Sequence, residues 1–100
     1  MSGNSDKTDK TEKYNYKAGD IALALAGRDE GRLFAVISLD EKDDNYVFIA
    51  DGRSRRADKP KRKKIKHLKL AKESAFEIKE SEKLTNSFLR KTLEEYKNLQ

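Results

Sequence analysis

Cysteine and tryptophan are missing from this 100-residue chain, and proline, histidine and methionine occur once each. Without cysteine there is no disulfide, no thiolate zinc site and no cysteine nucleophile, a usage that suits a reducing compartment. The lone His67 has no nearby cysteine and no triad partner, which argues against metal or general-base work. No run of about 18 apolar residues occurs, and the polar N-terminus lacks a signal-like stretch. Apolar residues are sparse overall, at 35% against 41% charged. That is material for a core of about 50–60 residues, a size that buries only about 60% of its unfolded surface and is marginally stable. The expectation is a soluble, cytoplasmic monomer with one small domain and tails.

Charge is plentiful and unevenly placed. The net +5 is concentrated between residues 53 and 72, where eleven basic residues face the single Asp58, while residues 17–52 carry eight acidic groups against four basic ones. A field this local marks a surface for a polyanion, because each neutralised phosphate releases condensed counterions.

The chain is organised around Gly27-Arg28-Asp29-Glu30-Gly31-Arg32, a polar loop bracketed by glycines and flanked by apolar runs. This pattern predicts strand, tight loop, strand. Residues 1–15 offer nothing to bury and are expected to be a disordered tail. Gly19-Asp20 reads as a turn into a first strand, in which Ile21, Leu23 and Leu25 alternate with Ala22, Ala24 and Ala26. The alanines suggest a second face under close cover. Leu33 to Leu39 is apolar on both alternations, as in a strand covered on two sides. Asp40 to Asn45 reads as a charged hairpin loop, and its acids lack the ligand spacing and glycine of a calcium loop. Tyr46 to Ala50 is a third strand ending at the turn dipeptide Asp51-Gly52. Pro60 restricts any following strand to an edge or rim. Beyond it Ile65, Leu68 and Leu70 are the only apolar anchors in a basic run, and they are expected to close a small barrel.

After Leu70 the pattern weakens, with Phe76 and Ile78 as a short docking segment. From about Asn86 a helix is expected, with Phe88, Leu89, Leu93, Tyr96 and Leu99 on one stripe, Thr85 or Asn86 as its cap, and Arg90–Glu94 and Lys91–Glu95 spaced for i,i+4 pairs. So narrow a stripe must dock, either on its own barrel or on a partner.

Lys17-Ala18-Gly19-Asp20-Ile21 together with Ala26 to Ile37 resembles a KOW motif, the glycine-centred strand-loop-strand of certain ribosomal proteins and elongation factors. Val47 to Gly52, followed by Pro60 to Leu68, is similar to stand-alone bacterial KOW proteins related to a eukaryotic-type large-subunit ribosomal protein. The resemblance spans roughly residues 16–70. It implies a mainly β fold, a small SH3-like barrel that binds RNA, with Gly31 at the motif's glycine, ribosomal RNA as the partner and no cofactor. Residues 71–100 lie outside the resemblance and are expected, from their own pattern, to be a linker and C-terminal helix, with ribosomal proteins as partners expected for the helix.

The residues themselves support an RNA surface. Arg28 and Arg32 can present guanidinium groups to phosphates, while Gly27 and Gly31 let backbone N–H groups approach a sugar-phosphate strand. Lys17 precedes the first strand. Arg53, Arg55, Arg56, Lys59, Lys61, Arg62, Lys63, Lys64, Lys66, His67 and Lys69 supply a second basic surface, so that two surfaces would clamp structured RNA by shape and backbone. Tyr46 or Phe48 is available to stack on a base, although core packing is the plainer role. A second reading is a protein-interaction adaptor whose basic run meets an acidic partner, since small barrels serve both roles. A third, contact with anionic lipid, lacks an apolar anchor. Catalysis finds no support: there is no nucleophile elbow, no phosphate-binding loop and no paired carboxylates in an apolar setting.

Overall fold

Alternating apolar residues form strands β1 (Ile21–Ala24), β2 (Leu33–Leu39), β3 (Tyr46–Ala50), β4 (Lys61–Lys64) and β5 (Leu68–Lys72), followed by the helix α1 (Asn86–Asn98). The computed structural model describes residues 16–79 and 83–99, so the N-terminal tail expected over residues 1–15 lies outside the described residues. All five strands join one antiparallel sheet in the order β4-β3-β2-β1-β5. The fold is mainly β and barrel-like, with a C-terminal helix.

The barrel is not closed by a ladder. Strands β4 and β5 are the two edges of the sheet, joined by a 3-10 turn at Ile65–His67 within the basic run expected to close the barrel. Ile65 and Leu68 enter the core as anticipated, but Leu70 is 40% exposed. Pro60, which has no N–H to donate, stands immediately before edge strand β4.

Register decides which side of each strand is inside. Ala22 pairs with Phe34, and Ala22, Ala24, Phe34, Val36, Val47 and Ile49 pack together with Ile65, Leu68 and Tyr16 as the interior. The alanines of β1 therefore face the barrel interior, where Phe34 fills the space, and the larger Ile21 and Leu23 lie on the outer side. Leu25, past the end of β1, is exposed. Tyr16 closes one end of the core, and burial together with the Asp20 charge pushes its phenol up to about 12.

On the outer side Ile21, Ala35 and Ala50 line up across three strands. The small side chains of Ala35 and Ala50 let α1 approach, and Leu89 packs on them with Ile37, Ala57, Phe76 and Leu84 around it. Burying Leu89 and Leu93 contributes on the order of 1.5–3 kcal/mol each, which offsets the cost of nucleating a short helix. Thr85 caps the helix, its Oγ1 accepting from Phe88 N at 3.1 Å, while Asn86 Oδ1 accepts from Ala57 N at 2.7 Å. Phe88 meets Phe76 edge to face, with centroids 5.3 Å apart. At the far end Tyr96 Oη donates to Ala71 O at 3.2 Å. The apolar stripe is thus mostly spent on the chain's own sheet, except for Leu99, 81% exposed, and Phe88, 41% exposed beside Phe76. Arg90 turns to Gly52 O (2.9 Å) and Ser87 Oγ (3.1 Å), where a pair with Glu94 was expected. The start of the expected linker is also bound to the barrel: β5 runs to Lys72, and Gly19 O accepts from Ala75 N at 2.8 Å and from Phe76 N at 3.2 Å.

Candidate nucleic-acid interface

The loop between β1 and β2 is closed by Gly31 N donating to Ala24 O (2.9 Å) and Ala24 N donating to Arg32 O (3.0 Å). Gly27 and Gly31 both have positive φ, at 84° and 87°, a region that residues with a Cβ enter only at a cost. No atom comes within 4 Å of where a Cβ on Gly31 would stand, so the tip of the loop is open. Arg28 and Arg32 flank it, both exposed.

Asp29 is only 5% exposed and turns back from this tip toward the basic segment. Its Oδ2 lies 3.4 Å from both Arg55 Nη2 and Lys61 Nζ. Burial alone would raise the Asp29 carboxyl. The hydrogen bond and charge of Lys61 and those of Arg55 outweigh it and hold the group below its ordinary value of 3.8. Two further contacts tie the same elements: Arg32 Nη1 donates to Ser54 Oγ at 3.1 Å, and Lys63 Nζ donates to Ala26 O at 3.3 Å. On the other flank, Leu25 N donates to His67 O at 2.8 Å. The glycine loop, the 53–55 turn, β4 and the 3-10 turn therefore share one rim. Of the two basic surfaces expected to clamp RNA, the loop is thus joined by part of the second, through Arg55, Lys61 and Lys63.

Alternation along β4 divides its four cations. Lys61 and Lys63 pair with Ile49 and Val47, whose side chains are interior, so their stems start from the core side and their ammonium groups reach Asp29 and Ala26 at the rim. Lys63 is buried. Arg62 and Lys64 stand on the opposite side, over Tyr46: the Arg62 guanidinium is 3.6 Å and the Lys64 ammonium 5.8 Å from the ring centroid. Arg62 also bonds Asp40 Oδ2 at 2.7 Å and lies 3.8 Å from Asp43. That hydrogen bond draws the Asp40 carboxyl below its ordinary value and raises the Arg62 guanidinium. The Tyr46 face is thus covered by Arg62, while Phe48 is half-buried and belongs to neither core cluster.

The remaining cations sort by position. Arg28, Arg32, Arg53, Lys59, Lys66 and Lys69 are exposed and have no ion pair among the described residues. Arg56 pairs with its neighbour Asp58 at 3.2 Å. Lys17 does not join the rim. It sits before the start of β1, at the end away from the loop, and pairs with Glu73 at 2.7 Å, an exposed contact that raises the lysine and lowers the glutamate.

Three participants were not singled out from sequence. Asp29 looks like loop charge, and its signal is that it is an acid amid cations in a turn. Arg90 and Lys97 of α1 line a groove of about 430 Å³ against Gly31, Arg32, Arg53 and Ser54. Their signal is spacing, since residues 90, 94 and 97 fall on one helical face.

Among the described residues no group of three or more His, Cys, Asp or Glu is placed to hold a metal, and no helix is long and apolar enough to cross a membrane. No protein-family model matches the chain, and no curated protein matches it.

Proposed function

We propose that the chain is a non-catalytic, cytoplasmic RNA-binding protein of the KOW type, which holds structured ribosomal RNA by its phosphates on the rim around Gly31. The observation that carries this reading is the Asp29 network, which gathers the loop and part of the basic segment while Arg28, Arg32, Arg53 and Lys69 stay exposed around Gly31 and unpaired among the described residues. A rim of exposed cations beside an open glycine tip suits a sugar-phosphate backbone, and the shape of A-form RNA is read in this way. The choice of ribosomal RNA rests on the family resemblance.

Arg28→Glu with Arg32→Glu is the test, because both side chains are exposed. Reversing the run from Lys61 to Lys64 would be a poorer choice, since it would unseat Asp29 and bury a carboxylate at residue 63. The double variant is expected to fold as the parent does and to lose most affinity for an RNA hairpin, with the slope of log K against log salt shallower by about one per lost phosphate contact. Unchanged binding would remove the rim from consideration. Ribosome co-sedimentation before and after nuclease tests the adaptor alternative, because contacts made only to protein survive digestion.

A further inference from the structure

We infer that the C-terminal helix is the second wall of the nucleic-acid site, seating a backbone phosphate in the groove between α1 and the glycine loop. This rests on the RNA-binding reading and extends it to a segment outside the KOW-like part of the chain. The packing described above leads there. Leu89 anchors the helix on Ala35 and Ala50, and Tyr96 fixes its far end on Ala71, so α1 crosses the sheet beside the loop. One flank of the helix then faces Gly31, Arg32, Arg53 and Ser54 across a groove of about 430 Å³.

The chemistry of that groove selects an anion. Arg32 and Arg53 approach from the barrel, and Arg90 and Lys97 from the helix. Arg90 is held in place, with Nη1 on Gly52 O at 2.9 Å and Nη2 on Ser87 Oγ at 3.1 Å, so its charge is presented at a fixed point. Of the two acids lining the groove, Asp51 is occupied inside the turn: Oδ1 accepts from Arg53 N and Arg55 N, both at 2.9 Å, and Oδ2 accepts from Ser54 Oγ at 3.2 Å. Glu94 is exposed, one turn after Arg90, and has no ion pair within 4 Å among the described residues. Four cations attract a single phosphate of a strand passing the loop tip, and the one free carboxylate, Glu94, opposes them and moderates that affinity. Leu33 and Leu93 are the apolar side chains of the lining, the first half-buried and the second buried, beneath the charged groups.

Opposite charge changes on this flank test the inference in the full chain. Lys97→Glu and Glu94→Lys both replace exposed side chains, and binding of a labelled RNA hairpin is measured across a salt series. Lys97→Glu is expected to weaken binding about threefold to tenfold and to reduce the salt slope by about one, while Glu94→Lys tightens binding by a similar factor and steepens the slope. A gain in affinity cannot come from unfolding, so Glu94→Lys guards against a trivial loss. Should both variants match the parent while Arg28→Glu with Arg32→Glu loses binding, the helix wall is overturned and the rim stands. Failure of the parent to bind RNA would overturn both.

Discussion

Asp20 and Asp29 lie before and after β1, both buried and each within two residues of a glycine of positive φ, yet they are satisfied in different ways. Asp20, wholly buried, accepts from backbone donors: Lys17 N at 2.9 Å on Oδ2 and Ser74 N at 2.8 Å on Oδ1. Beside it, Gly19 at φ 101° lies so close to the Phe76 carbonyl that a Cβ would collide with it. Asp29 accepts at 3.4 Å from side-chain cations, and Gly31 two residues on meets nothing. One end of the barrel is finished by its own backbone. The other is assembled from long charged side chains and leaves cations over.

The largest effects are therefore expected at the Asp20 end. Asp20→Ala removes the acceptor of two part-buried N–H donors, those of Lys17 and Ser74, and should cost about 2–3 kcal/mol of stability. Gly19→Ala should cost more than 2 kcal/mol, because the residue before β1 cannot move away from Phe76 without breaking its bonds to Ala75 and Phe76. Urea unfolding measures both. RNA affinity, read well below the unfolding transition, should stay at the parent's value. Equal losses of stability for Asp20→Ala and Asp29→Ala would erase the contrast between the ends.

Asp29→Asn is expected to cost about 1 kcal/mol, because its partners Arg55 and Lys61 are each about a third exposed and water screens the pair. The effect has a pH signature. The folded carboxyl titrates below its ordinary 3.8, so its stabilisation is fully present above that value and is lost as pH falls through the lower folded one. The variant should therefore show a shallower loss of stability than the parent below about pH 4, measured by urea midpoints along an acid series. A parallel decline in both proteins would mean that the Asp29 cluster contributes nothing to stability.

What could be read in the sequence follows the same division. The first three strands, the loops between them and the C-terminal helix are local patterns, and they appear close to where the pattern puts them, with β1 two residues shorter; the cap falls to Thr85, one of two candidates, and the helix docks on its own sheet, one of two partners expected. Periodicity separates the two faces of β1 but cannot say which is inside; that depends on Phe34, one strand away, filling the interior and leaving room only for Ala22 and Ala24. The 3-10 turn at residues 65–67 was hidden in a run that looks uniformly basic. The same run concealed a buried Lys63 and the turning of Lys61 toward an acid 32 residues earlier. Long-range contacts leave no periodic trace, so nothing local pointed Asp29 at Arg55 and Lys61, and Arg90, spaced for a pair with Glu94, bonds Gly52 O from elsewhere in the chain instead.

Gly31→Ala should affect folding no more than Asp29→Asn does and is the sharpest test of what the open end is for. With φ at 87° and no atom near the new methyl, the only cost is the left-handed backbone, about 1 kcal/mol, against the collision expected at Gly19. Stability measured in urea should fall by that amount and no more. If the tip is a place where another backbone approaches, the same methyl stands between it and the loop, and RNA affinity should drop severalfold while the salt slope is unchanged, because no charge has been altered. A loss of affinity with a constant slope separates close approach at Gly31 from the electrostatic attraction of the arginines beside it. Affinity equal to the parent's would mean that the glycine serves the turn alone and that the cations act at longer range.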